Sequence, residues 1–280
     1  MKRAQPGFPK KQQRRRRRLL GQHFLKSAGI AEKIVRVIDP LPDDLIVEIG
    51  AGRGALTFPL AAKAGKVLAI EKDTAFLPIL EEPGLPNLSV VARDVLDLDF
   101  KKLIGEKGGD FGLAKLVGNL PYSISSPLLF KIIEERTAFK KCVFLVQKEV
   151  AERICARPES KSYAPLSILL QIHFSAAIEF TVHPGSFSPP PRVESALITL
   201  ERRPAPLFPV SDERKFLRFL QACFKQRRKT LANNLAASGV SGAQIQEAGL
   251  RLDLSRTIRS EQIPIGQWIA LFDFLQKDKV

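Results

Sequence analysis

Between residues 19 and 203 the chain alternates short apolar runs with stretches of helical spacing, and no other feature limits its fold as strongly. Strands are predicted at 45–49, 67–70, 88–92, 113–117 and 142–147, and helices at 28–38, 55–64, 74–80, 127–135 and 147–156. The strand runs are apolar at nearly every position, not at every second one. That pattern belongs to strands covered on both faces, so a doubly wound, mostly parallel α/β sheet is expected. Further runs at 168–174 and 195–200 are expected to add antiparallel edge strands. Pro204, Pro206 and Pro209 then break the alternation and read as a linker. Beyond them, 212–224, 228–237, 243–248 and 264–275 carry helical spacing. This predicts a small all-helical domain over 204–280, following a larger α/β domain over 19–203.

Ligands of open parallel sheets sit beyond the carboxyl ends of the strands, so the loops after the strands carry the chemistry. The first strand runs into Glu48-Ile49-Gly50-Ala51-Gly52-Arg53-Gly54, where glycines permit positive φ and close approach of a ligand. The spacing is GxGxG, not the GxGxxG that cradles a pyrophosphate. The second strand ends at Glu71, placed to bind two ribose hydroxyls, and the third at Asp94, placed to accept from the exocyclic amine of an adenine. An acid in the first of these places also occurs in nicotinamide sites, and acids after strands are commonly ordinary loop residues. A ligand with adenine and ribose but no pyrophosphate nevertheless fits S-adenosylmethionine better than a dinucleotide.

The fourth strand ends in Gly118-Asn119-Leu120-Pro121-Tyr122. An amino group on a flat heterocycle is a poor nucleophile because its lone pair is delocalised into the ring. Two acceptors, the Asn119 side-chain oxygen and the Leu120 carbonyl, could hold both N–H bonds and turn that lone pair out of plane. Tyr122 could stack on the ring while Pro121 pre-sets the turn. Taken alone, the tetrapeptide reads equally well as a strand-ending turn with a half-buried tyrosine.

The formal charge of +15 is concentrated in two places. Residues 1–18 hold nine basic side chains and no acid, including Arg14 through Arg18, and a second cluster contains Lys225, Arg227, Arg228 and Lys229. Two separated cationic clusters imply a polyanionic partner, most simply nucleic acid. The first is expected to be a disordered tail that attracts phosphates; a solubilising tail or an organellar presequence are the alternatives. Three cysteines without a CxxC pair argue for a reducing compartment and against structural zinc.

Several ordered blocks resemble the ribosomal RNA adenine N6-dimethyltransferase family, from Gly21 to the C-terminus. They are Gly21-Gln22-His23-Phe24-Leu25, the 47–52 glycine turn, Glu71, Asp94, 118–125, Gln147-Lys148-Glu149-Val150, Phe187 through Ser195, and Phe224 through Thr230. The resemblance implies a Rossmann-like S-adenosylmethionine-dependent methyltransferase sheet with a helical RNA-binding domain, acting on two adjacent adenosines of small-subunit RNA. It implies donor contacts at Gln22, His23, Leu25, Gly50, Gly52, Glu71, Lys72, Asp94, Val95 and Asn119, and catalysis by Asn119, Leu120, Tyr122 and Phe187. Phe187 would cover the adenine face opposite Tyr122, or else cap the core behind a proline-rich loop. Arg227, Arg228 and Lys229 would grip RNA as part of a basic helix. The chain departs from the family's usual pattern at His23 (asparagine), Ala51 (proline) and Ser123 (asparagine). A cytoplasmic monomer that needs no metal, working on an assembling 30S particle and no membrane, is the expected setting. An RNA-binding assembly factor without catalysis, and a large-subunit methylase of the antibiotic-resistance type, are the competing readings.

Overall fold

The structure is a computed structural model that describes residues 23–107 and 113–277. Packing divides the chain into two compact units. One runs through Lys148 and takes in Ile178–Leu200; the other joins Glu149–Ala177 to the chain from Glu201 onward. This differs from the contiguous boundary expected at 203–204. The 149–177 segment groups with the C-terminal helices because Tyr163 packs on Phe224 with ring centroids 6.2 Å apart. In addition, Glu159 N donates to Glu261 O at 2.7 Å, and the Arg227 guanidinium donates to the Lys161 carbonyl.

In the first unit, β1 (Phe24–Leu25) leads into α1 (Ala28–Ile38), capped by the Ser27 hydroxyl. Ala31, Ile34, Val35 and Ile38 fall at helical spacing and form its buried face. The alternation continues through β2 (Leu45–Ile49), α2 (Thr57–Ala61), β3 (Lys66–Ile70), α3 (Leu77–Glu81), β4 (Leu88–Val91) and α4 (Phe100–Lys107). After these come β5 (Ala114–Asn119), α5 (Ser125–Glu134) and β6 (Phe139–Gln147). A seven-stranded sheet has the order β4-β3-β2-β5-β6, followed by β9 (Ser195–Arg202) and β7 (Phe174–Val182). The pairs β2–β3, β3–β4, β2–β5 and β5–β6 are parallel. Strand order reverses between β2 and β5, so their carboxyl ends open a crevice at that point. All five residues of β2 are buried, Glu48 among them. A two-residue strand, β8 (Phe187–Ser188), pairs antiparallel with β1.

Two expected strands change. The 168–174 run lies mostly in α7 (Pro165–His173), a helix of the second unit that follows α6 (Lys148–Ile154). Pro165 opens α7, and Ala164 N donates to the Ser167 hydroxyl at 3.1 Å. The helix is buried on nearly every side, which removes the polar stripe that would mark it as helical. The 195–200 run does form a strand, but β9 lies between β6 and β7 instead of at an edge. Its first six residues are all buried, as an interior strand requires.

The second unit also contains α8 (Glu213–Cys223), α9 (Leu231–Ala237), α10 (Gly242–Arg251) and α11 (Ile265–Lys277). Its aromatic core includes Phe216–Phe272 and Phe224–Trp268, with centroids 5.2 and 5.5 Å apart. The helix expected from 228 begins at Leu231, because the Thr230 side chain accepts from Asn233 N and caps it. Arg227, Arg228 and Lys229 therefore lie in the turn before α9 and not on a helix. No helix among the described residues is long and apolar enough to cross a membrane.

Candidate active site

At the crevice between β2 and β5 the two strands approach unusually closely. A Cβ at Gly118 would lie 2.7 Å from the Ile49 carbonyl oxygen, so only glycine fits that point of the register. Gly50 follows with φ of +73°, and its N–H donates to Ile70 O at 2.8 Å. A Cβ there would meet the Asn119 carbonyl at 3.8 Å, so the glycine turn and the Asn119 loop are neighbours.

Glu71, at the end of β3, is buried, and both its oxygens are used. Gly52 N–H donates to Oε2 at 2.8 Å and Asp73 N–H to Oε1 at 2.7 Å. Burial lifts its carboxyl above the usual range, against those two donors. The two oxygens offer about four acceptor sites, more than the backbone donors Asp73, Gly52 and Lys72 fill, so a ribose hydroxyl can still be accepted. Behind it, fully buried Glu48 accepts from the Thr57 hydroxyl at 2.5 Å. Burial, with repulsion from Glu71 added, pushes Glu48 up to about 7. Asp94 accepts Leu96 N–H on Oδ1 at 3.0 Å and pairs with the Lys72 ammonium through Oδ2 at 2.5 Å. That ammonium holds the Asp94 carboxyl below its ordinary value, so an ionised acceptor stands at the rim.

Asn119 donates its amide Nδ2 to the His23 carbonyl at 2.7 Å. Because a carbonyl can only accept, this bond assigns the amide and leaves Oδ1 as the acceptor. The loop after it is a helix entry: Ile124 N donates to Pro121 O at 3.1 Å, and the Ser125 hydroxyl to the same oxygen at 3.2 Å. The Tyr122 hydroxyl lies 3.0 Å from Ser195 Oγ, and its ring is 5.4 Å from that of His23. His23 Nδ1 lies 2.8 Å from Pro189 O and, since a carbonyl can only accept, donates to it. Of these groups His23, Gly50, Glu71, Lys72, Asp94, Asn119 and Tyr122 line one cavity of about 240 Å³.

A model of the family described as ribosomal RNA adenine dimethylase matches residues 13–277. The chain belongs to that family. A relative from Geobacter metallireducens named ribosomal RNA small subunit methyltransferase A is 38% identical over 261 residues, covering 92% of this chain and 94% of its own. One of the same name from Pelotomaculum thermopropionicum is 42% identical over 268 residues, covering 92% and 90%. Among solved structures, a dimethyladenosine transferase from Plasmodium falciparum superposes with a TM-score of 0.79 at 27% identity, covering 92% of this chain and 99% of that one.

Most residues expected from the dimethylase resemblance converge. His23, Gly50, Glu71, Lys72, Asp94, Val95, Asn119, Leu120 and Tyr122 all line the cavity. Three do not. Gly52 acts from behind, through its N–H on Glu71. Leu25 and Phe187 are core residues, 8% and 1% exposed, opposite each other in the β1–β8 pair. Of the two readings of Phe187, its burial beside Val182 and Leu197 supports the core one. Gln22 and the Arg14–Arg18 tail lie outside the described residues. Phe24, Arg93 and Ile124 also line the cavity; Phe24 and Ile124 fall within blocks of the resemblance that gave them no role, and Arg93 only adjoins Asp94. Among the described residues no cluster of His, Cys, Asp and Glu is arranged to hold a metal ion.

Proposed function

We propose that this protein uses S-adenosylmethionine to dimethylate N6 of two adjacent adenosines in the 3′-terminal hairpin of small-subunit (16S) ribosomal RNA. The observation that carries the reading is the fixed amide of Asn119. Its nitrogen is committed to His23 O, so Oδ1 is an acceptor in the same cavity as Glu71 and Asp94. That arrangement serves an amine nucleophile facing an adenosine-bearing donor.

The residues fit the donor: Glu71 can accept from a ribose hydroxyl, Asp94 is an ionised acceptor for an adenine amine, and Gly50 allows close backbone approach. When bound, the donor supplies a methyl group already activated on a sulfonium. Asn119 Oδ1 and the Leu120 carbonyl accept the N–H bonds of the target amine and stabilise positive charge growing there. Tyr122 gives the target base a stacking face and fixes its orientation. After one methylation a single N–H remains, so specificity for dimethylation rests on tolerating a methyl beside one of the two acceptors. No metal is called for, and the surplus proton leaves to water.

The target adenine must leave its stack to be reached, which favours an RNA hairpin loop over a duplex. Arg227, Arg228 and Lys229, all exposed, supply phosphate contacts from the second unit. We assign the substrate to an assembling 30S particle in the cytoplasm, with the enzyme acting as a monomer. Mass-spectrometric mapping of methyl groups on unmodified small-subunit RNA and particles, after incubation with protein and donor, tests the whole proposal. Dimethylation of two neighbouring 3′-hairpin adenosines is expected; methylation of large-subunit RNA only, or of nothing, refutes it.

A further inference from the structure

The segment from Phe187 to Ser195 is the longest motif of the chain, and its one expected chemical residue, Phe187, is in the core. Its remaining contacts reach the cavity from outside. The Pro189 carbonyl accepts from His23 Nδ1 at 2.8 Å, and Ser195 Oγ hydrogen bonds the Tyr122 hydroxyl at 3.0 Å. The segment itself is held at both ends. β8 pairs with β1, bringing Phe24 opposite Ser188, and Lys26 N donates to Ser186 O at 2.9 Å. At the other end Lys148 N donates to Glu194 O at 3.0 Å and its ammonium pairs with the Glu194 carboxylate at 2.8 Å.

From this geometry we infer that Ser195 is a positioning residue for methyl transfer, acting through the Tyr122 hydroxyl. The inference rests on the proposed function, in which the Tyr122 ring is the face on which the target base stacks. A tyrosine ring has two soft torsions. Tethering the hydroxyl fixes the far end of the ring axis, and the His23 ring, itself held by Pro189, restricts rotation about that axis. Ser195 is 1% exposed, so its hydroxyl has no solvent to bond and is available for this tether. Losing the tether leaves the donor site intact but lets the target base sample orientations in which its amine misses the acceptors.

The test compares Ser195→Ala, Tyr122→Phe and the double variant with the parent full-length protein on small-subunit RNA. Single-turnover methyl transfer, S-adenosylhomocysteine affinity by calorimetry and the melting midpoint are measured for each. Each single variant is expected to slow transfer about tenfold, the scale of one hydrogen bond. The double variant is expected to be no slower than either single one, with S-adenosylhomocysteine affinity unchanged throughout and melting midpoints lowered by no more than the loss of one buried hydrogen bond. Tyr122→Phe keeps the ring and removes only the tethered atom, so it remains decisive if Ser195→Ala folds poorly. Transfer at the parent rate by either single variant overturns the inference, as does a double variant slowed by the product of the two. If the parent itself transfers no methyl group, the proposed function fails and this inference with it. If the parent is active and Ser195→Ala is equally so, only the inference fails.

Discussion

Glu48 is expected to make the protein less stable as pH rises, and Glu48→Gln to remove that loss. Its carboxyl has an ordinary value of 4.5 and is pushed up to about 7 in the folded protein. Between those values the folded state keeps a proton that the unfolded chain has released, so stability falls with pH by up to about 1.4 kcal/mol per unit. The contribution is fully favourable below the unfolded value. Integrated upward, the accumulated loss is about 1.4 kcal/mol at pH 5.5 and about 3 kcal/mol at pH 8. Glutamine keeps an oxygen for the Thr57 hydroxyl, which donates to Glu48 at 2.5 Å, and cannot ionise. The cost of seating its amide nitrogen is the same at every pH and cancels in a comparison. The stability difference between Glu48→Gln and parent should therefore widen by about 2 kcal/mol, in favour of the variant, from pH 5.5 to pH 8. Urea unfolding followed by far-ultraviolet circular dichroism measures this. Tryptophan fluorescence does not, because Trp268 is the only tryptophan and belongs to the other unit. A difference that stays constant across that range would refute the reasoning.

Asn119→Ala removes an acceptor used in the transition state and should slow transfer about a hundredfold or more, while RNA affinity in a gel-shift titration stays near the parent value. Arg228→Ala combined with Lys229→Ala, which spares the Arg227 bond to Lys161, should reduce the salt slope of RNA binding by roughly 1.5, read from affinities across a potassium series. Asp44 is fully buried at the other end of β2, with the Lys115 and Lys140 ammoniums at 2.7 and 2.6 Å. Burial alone would raise its carboxyl, but the two lysines hold it below the ordinary value. Asp44→Ala strands the buried Lys115 charge and should cost about 3–5 kcal/mol in urea unfolding. By the same pairing, the stability that Asp44 contributes in the parent is present above the unfolded carboxylate value and lost as pH falls through the lowered one.

The inner strands of the parallel sheet were legible because burial on both faces leaves a local record: an apolar residue at nearly every position, then a polar or glycine-bearing end. α1 could be placed from its 3.6-residue spacing alone. α7 could not, since a helix buried on nearly every side carries no stripe and its run resembles a strand. α4 was not predicted at all; it buries only Phe100 and Leu103, too few for a periodic signal. The Arg227–Lys229 cations looked like part of a helix because their charge density hid the capping threonine that follows them.

Residue order by itself determined the sheet type, and the acids and amide placed at the carboxyl ends of its strands. All of these depend on short-range patterns: alternation, glycine where backbone must come close, and a polar side chain at a strand's carboxyl end. Only the tertiary structure decided how those groups are aimed. Asn119 is oriented by a carbonyl 96 residues away, and Tyr122 is tethered by a hydroxyl 73 residues away. Phe187 went to the core, not to the cavity, because β8 pairs with β1 and turns it inward beside Leu25. Contacts of that range arise from packing two distant segments on one sheet, and a linear pattern has no place to record them.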